Sequence, residues 1–165
     1  MGKADNLLLI AERMPAGLTR GQQLELTYAL HCWDEIAVKE HMPHLVINLV
    51  PQKSIPVDKN VFGLCTGAGN IYIAIVVETD DGEPIISVAS MRETFLHELA
   101  HAIRSRDDED SGSHDRNWQL EFNRLQCKYS STLKAKEAFA AKQNASRYGS
   151  LKDNQTFYKE PKPKK

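Results

Sequence analysis

The chain has 165 residues, 41% hydrophobic and 26% charged, with 21 Lys and Arg against 22 Asp and Glu. That length suits one domain with a tail and closes a core without disulfide staples, and the composition excludes collagen-like and wholly disordered classes. No run approaches the roughly 18 apolar residues of a membrane span, and the start, Met1-Gly2-Lys3-Ala4-Asp5, has no signal-peptide pattern, so a soluble, intracellular protein without a membrane partner is expected.

In chain order, residues 6–14 are predicted to form a short helix. Thr19-Arg20-Gly21-Gln22 has the T-x-x-Q form of a capping box. Apolar spacing continues through Leu24, Tyr28, Ala29, Cys32, Ile36 and Ala37, which predicts a long helix over 19–41. It should stop before Pro43, whose ring disfavours helical geometry in the preceding residue. Leu45 to Val50 reads as a strand, Phe62 to Asn70 as a glycine-rich turn, and Ile71 to Val77 as the strongest strand of the chain. Asp80 to Pro84 reads as a turn and Ile85 to Val88 as a short extension. A second box, Ser90-Met91-Arg92-Glu93, opens a helix to about Arg104 with Phe95, Leu96, Leu99 and Ile103 on its buried stripe. Ser105 to Ser113 is an acidic loop. Helical spacing resumes over 115–127 and again from Leu133 to Ala145.

The near-zero net charge hides an asymmetry. From Lys128 to Lys165 there are ten Lys and Arg and three Asp and Glu, while residues 1–127 hold eleven and nineteen. An acidic body of −8 therefore precedes a basic end of +7. Three parts are expected: a domain over 1–127, a basic helix over 128–149 and a basic disordered tail over 150–165. Basic ends meet nucleic acid or another polyanion, and the same charges also suit a solvated helix face. The three cysteines, Cys32, Cys65 and Cys127, form no CxxC pair and read as reduced, buried apolar residues.

His97-Glu98-Leu99-Ala100-His101 is an H-E-x-x-H motif inside a predicted helix. A spacing of i, i+4 puts both imidazoles on one face, where they can share a metal ion. Glu98 lies about 100° round the helix from His97, placed to serve as general base toward a water that a Zn²⁺ ion has acidified to a pKa of about 7. A catalytic zinc needs a third protein ligand. His114, thirteen residues after His101, and Glu121, twenty residues after it, both qualify, and Asp107-Asp108-Glu109-Asp110 is a further source of carboxylates.

Phe62-Gly63-Leu64-Cys65, the strand Ile71–Val77, Arg92 to Ala102 around the motif, and Ser113-His114-Asp115-Arg116-Asn117-Trp118 together resemble SprT/Spartan-type zinc proteases. The related WLM group shares H-E-L-x-H followed by HD across a shorter gap. The resemblance spans about residues 20–127 and is most specific over 92–118. It implies that His97, His101 and His114 bind zinc, that Glu98 is the general base, and that the substrates are proteins bound on or crosslinked to DNA. It also implies an α+β, zincin-like fold with a small sheet packed on the long N-terminal helix and the H-E-x-x-H helix. Many members carry a zinc ribbon near the C-terminus. Here only Cys127 lies in that region, so DNA contact would fall to the basic end, where Tyr129, Tyr148, Phe157 and Tyr158 could stack on unpaired bases. Tyr129 is also a candidate oxyanion stabiliser. Two other classes remain open at this level: a zinc peptidase with no link to DNA, and a non-enzymatic DNA-binding protein with a relic zinc site.

Overall fold

The computed structural model describes residues 12–148 apart from 56, 58–60, 68, 81–82 and 111, with backbone alone for 78–80, 83–85 and 144–148. The expected helix over 6–14 falls mostly outside these residues, as does the tail from 149 onward. None of the described helices is long and apolar enough to cross a membrane.

Helix α1 spans Arg20–Lys39. The Thr19 hydroxyl accepts the Gln22 N–H at 3.1 Å while the Gln22 side chain accepts the Thr19 N–H at 2.8 Å, so both halves of the capping box form. Its buried residues include Leu26, Ala29, Leu30, Trp33, Ile36 and Ala37, spaced by threes and fours on one face. His41, with φ 63°, turns the chain away from the helix before Pro43.

Three strands form a mixed sheet in the order β1-β3-β2: β1 Val46–Val50, β2 Gly63–Thr66 and β3 Asn70–Ala74. β1 runs parallel to β3 and β2 antiparallel to it. Ile47, Leu49, Ile71 and Ile73 are almost completely buried, while Asn48 and Tyr72 between them are partly exposed, the two-residue period of a sheet with one covered face. Phe62 to Asn70 is thus not a continuous turn, since β2 lies within it. The strand expected over Ile71–Val77 breaks at Ile75-Val76, where both neighbours run out. Ala74 N–H bonds Phe62 O at 2.8 Å and Ile75 N–H bonds Val50 O at 3.0 Å, after which Ser87 N–H bonds Val76 O at 2.8 Å. From there the chain forms a separate hairpin of β4 Val77–Asp80 and β5 Glu83–Ile86, so Pro84 lies in a strand.

Helix α2 spans Val88–Arg106. Its N-cap is Ser87, whose hydroxyl accepts the Ser90 N–H at 3.3 Å, one turn earlier than the expected box at Ser90. Glu93 does not reach back to a cap. It bonds Arg92 and Gln126 instead. Helix α3 spans Arg116–Tyr148 without interruption, where two helices were expected. The buried residues Trp118, Leu125, Tyr129 and Leu133, with Phe122 packed beside them, keep their spacing through 128–132, so one stripe serves the whole length. The Asp115 side chain caps α3 by accepting the Trp118 N–H at 2.9 Å.

The chain is therefore α+β, with α2 at the centre. It packs against β2, β3, α1 and α3, and Trp33 of α1 stacks on Phe95 of α2 at 5.3 Å. All three cysteines are free. Cys32 is buried and Cys65 half-buried, but Cys127 is exposed rather than buried.

The C-terminal ends of α1 and α2 are joined to the middle of α3 around one buried carboxylate. Glu40, at the C-terminus of α1, accepts hydrogen bonds from Arg124 at 2.5 Å, Lys128 at 3.1 Å and the Tyr129 hydroxyl, and Arg106 donates to its carbonyl at 2.6 Å. Burial opposes the charged form of Glu40, but the bonds from Arg124, Tyr129 and Lys128 outweigh it and hold its pKa at about 2. A carboxyl so depressed stabilises the fold above its unfolded pKa of 4.5 and loses that contribution as pH falls toward about 2. Glu40→Gln should cost about 1–3 kcal/mol at pH 7. In urea unfolding the gap between wild type and variant should narrow below pH 4.5 and close near pH 2.

Candidate metal centre

His97 and His101 lie one turn apart on α2, and His114 arrives from the loop joining α2 to α3. Each offers a ring nitrogen, and these nitrogens all lie within 4.8 Å of one another. His97 Nε2 and His114 Nε2 are 3.0 Å apart. Among the described residues this trio is the only such group of potential ligands. Glu121, the competing third ligand, is turned away into an ion pair with Arg124 at 2.5 Å.

An aromatic wall holds the trio. The Trp118 ring centroid lies 4.6 Å from that of His97, 5.3 Å from His101 and 4.4 Å from His114. Phe122 stacks on Trp118 at 5.0 Å and meets the edge of His97 at 5.8 Å. Both aromatic residues belong to the first two turns of α3, so the packing of that helix sets the orientation of the imidazoles. Burial, together with the neighbouring His114 and His101, pushes the His97 pKa down to about 4. Its nitrogen lone pair is thus free at neutral pH, which is the form a metal ion binds.

Glu98 is 7% exposed, and its Oε2 lies 3.7 Å from His97 Nε2. Burial first, and then the negative charge of Asp110, push its pKa up to about 7, the value that suits a proton carrier at neutral pH. Glu98 is pressed from the other side by β2. A Cβ placed on Gly63 would sit 2.5 Å from Thr94 Cγ2 and 3.1 Å from both Cγ and Oε2 of Glu98. Only glycine lets the strand backbone approach the H-E-x-x-H helix so closely. A glycine inside a strand signals such an approach, so Gly63 could have been singled out in the sequence, but its glycine-rich surroundings made the segment read as a turn. Cys65, two residues on, has its thiol pKa raised to about 12 by burial and by Glu98 and Asp110, which leaves it protonated beside the site.

The acidic loop does not act as a unit. Asp107 pairs with Arg106 at 2.9 Å and Glu109 with Arg104 at 3.6 Å, whereas Asp110 turns inward and meets His101 Nδ1 at 3.1 Å. Sequence spacing gave no sign of which of the four carboxylates would do so. Tyr129 is not available for base stacking or for an oxyanion, because its ring is buried and its hydroxyl bonds Glu40. The Tyr148 side chain, Phe157 and Tyr158 lie outside the described residues.

Compared with protein-family models, curated proteins and solved structures, the chain matches none.

Two measurements test this geometry. In full-length protein loaded with zinc and dialysed, His114→Ala should lose bound metal while Glu121→Ala keeps the wild-type stoichiometry. Gly63→Ala should cost about 1–3 kcal/mol in denaturant unfolding, as overpacking does. Gly69→Ala, where a Cβ meets nothing within 4 Å, should be nearly silent.

Proposed function

We propose that this chain is a zinc-dependent metallopeptidase of zincin-like fold in which His97, His101 and His114 hold the ion and Glu98 is the general base. The observation that carries the reading is the convergence of three imidazole nitrogens with a buried carboxylate 3.7 Å from one of them. The donor set fits zinc: imidazole nitrogens are among its preferred ligands, and Zn–N bonds of about 2.0–2.1 Å can span nitrogens grouped this closely. Bound there, zinc supplies Lewis acidity toward a water molecule and the scissile carbonyl. Glu98 takes the proton from the attacking water and returns it to the leaving amine. Its proximity to the trio supports that role, and a purely structural metal site needs no base beside its ligands.

A peptide substrate is supported by the edge of β2. Phe62 O bonds Ala74 N–H, so in the antiparallel register with β3 the backbone groups of Leu64 and Thr66 also face β3. Those of Gly63 and Cys65 then point to the outer edge of the sheet, where no further strand follows among the described residues. An extended peptide adding to that edge would lie beside Glu98.

The reading extends to proteins held on DNA. Its supports are the sequence resemblance and the exposed Lys134 and Lys142 on α3. Lys128 and Lys136 are committed to Glu40 and Glu35, so the basic charge available from the described part of α3 is smaller than the sequence count suggests. Cleavage of histone and casein, with and without single-stranded DNA, tests both parts. Glu98→Gln should lower turnover by about 10²–10⁴-fold with zinc content unchanged. Single-stranded DNA should accelerate wild-type cleavage of histone in a salt-sensitive way, and Lys134→Glu with Lys142→Glu should reduce that acceleration. Undiminished cleavage by Glu98→Gln overturns the peptidase. Cleavage indifferent to DNA removes the DNA link and leaves the peptidase standing.

A further inference from the structure

We propose that Asp110 is a positioning residue of the metal centre, which orients His101 and fastens to α2 the loop that delivers His114. The proposal rests on the metallopeptidase reading of the same trio. Asp110 Oδ1 lies 3.1 Å from His101 Nδ1, with both side chains largely buried. A carboxylate only accepts hydrogen bonds, so Nδ1 must carry the proton, and the lone pair of His101 is left on Nε2. The second carboxylate oxygen is held as well, since the Ser105 hydroxyl donates to Oδ2 at 3.4 Å. The ring of His101 is therefore fixed in tautomer and in rotation before any ion arrives. Such outer partners raise the basicity of a histidine ligand and hold its direction.

The same contact closes the loop. Asp108 N–H bonds Ser105 O at 3.1 Å and Glu109 N–H bonds Arg104 O at 2.7 Å, while the Arg104 guanidinium donates to Glu109 O at 2.8 Å. Asp108, with φ 61°, and Gly112, with φ 78°, supply the left-handed bends that fold the chain back on the helix. Asp110 sits between these bends, and its bond to His101 fixes the point from which the chain leads toward His114. One side chain thereby ties the second ligand to the approach of the third. Its three acidic neighbours do not share this work: Asp107 and Glu109 pair with arginines, and Asp108 is exposed.

The test is metal affinity in the full-length chain, read by competition for zinc against a chromophoric chelator and by the visible band of the cobalt-substituted protein. Asp110→Ala should weaken zinc binding by roughly 10–100-fold and alter the cobalt band. Asp110→Asn, which keeps an oxygen acceptor and the side-chain volume, should lie between Asp110→Ala and wild type, and it carries the test if Asp110→Ala fails to fold. Asp107→Ala should bind as wild type does, which separates position from loop charge. Asp110 variants that bind zinc within about twofold of wild type, with an unchanged cobalt band, overturn the role of Asp110 alone. A folded wild type that takes up neither metal overturns the metal reading and this proposal with it.

Discussion

Helix α2 is buried on nearly every side, and it carries charged and polar groups into that burial. Met91, Phe95, Leu96, Leu99, Ala100 and Ala102 are completely buried, yet so, within a few per cent, are Arg92, Glu98 and His101 on the same helix. A buried polar group costs free energy unless it is partnered, so the surrounding elements are arranged to answer these three. Glu137 of α3 pairs with Arg92 at 2.5 Å. Asp110 answers His101. Glu98 has no Lys or Arg partner among the described residues, and it is the one pressed against the histidine trio and the Gly63 backbone. The packing of the domain and the chemistry of the site are therefore set by the same constraint.

Helix α3 is the second consequence. Its first turns supply Trp118 and Phe122, and its middle turns supply Arg124, Lys128 and Tyr129 to the buried carboxylate of Glu40. The aromatic wall is thus anchored from behind by an ion cluster that also takes in Arg106 at the end of α2. Breaking a buried carboxylate's partners is costly even where each exposed ion pair alone contributes little. This changes the meaning of the charge asymmetry. Part of the basic excess that follows residue 127 pairs with acidic groups of the body: Lys128 with the buried Glu40, and Lys136 with Glu35 at the surface.

Local signals carried much of this arrangement. The box at Thr19–Gln22 and the apolar period of α1 needed only short-range geometry, and the H-E-x-x-H spacing put two imidazoles and a carboxylate on one helix. Errors came where a long-range contact overrides a local one. Gly63 reads as a turn residue because a glycine's local meaning is flexibility, whereas here it leaves room for Thr94 and Glu98, distant in sequence. Ser90 is a good cap, but Ser87 is one as well, and the backbone bond from Ser87 N–H to Val76 O fixes where the hairpin ends and the helix can begin. Tyr129 looks like a residue free to stack on bases until Glu40, far off in the chain, is brought beneath it. Between His114 and Glu121 no spacing rule could choose; it is the path of the intervening loop that brings His114, and not Glu121, beside His97 and His101.

The electrostatics of the centre bear on the proposed metal ion. Glu98 and Asp110 face the same small region, while Arg104 pairs with Glu109, Arg106 with Asp107, and Arg124 with Glu121 and Glu40. Among the described residues neither carboxylate has a Lys or Arg ion pair; their only charged-group contacts are imidazoles. Burial first, and then the negative charge of Asp110, raise the Glu98 pKa to about 7. Protonating the imidazoles would compensate the charge, but burial and mutual repulsion hold His97 far below its ordinary pKa. On the proposed reading, a divalent cation would take the neutral His97 nitrogen as a ligand and offset the carboxylates beside it.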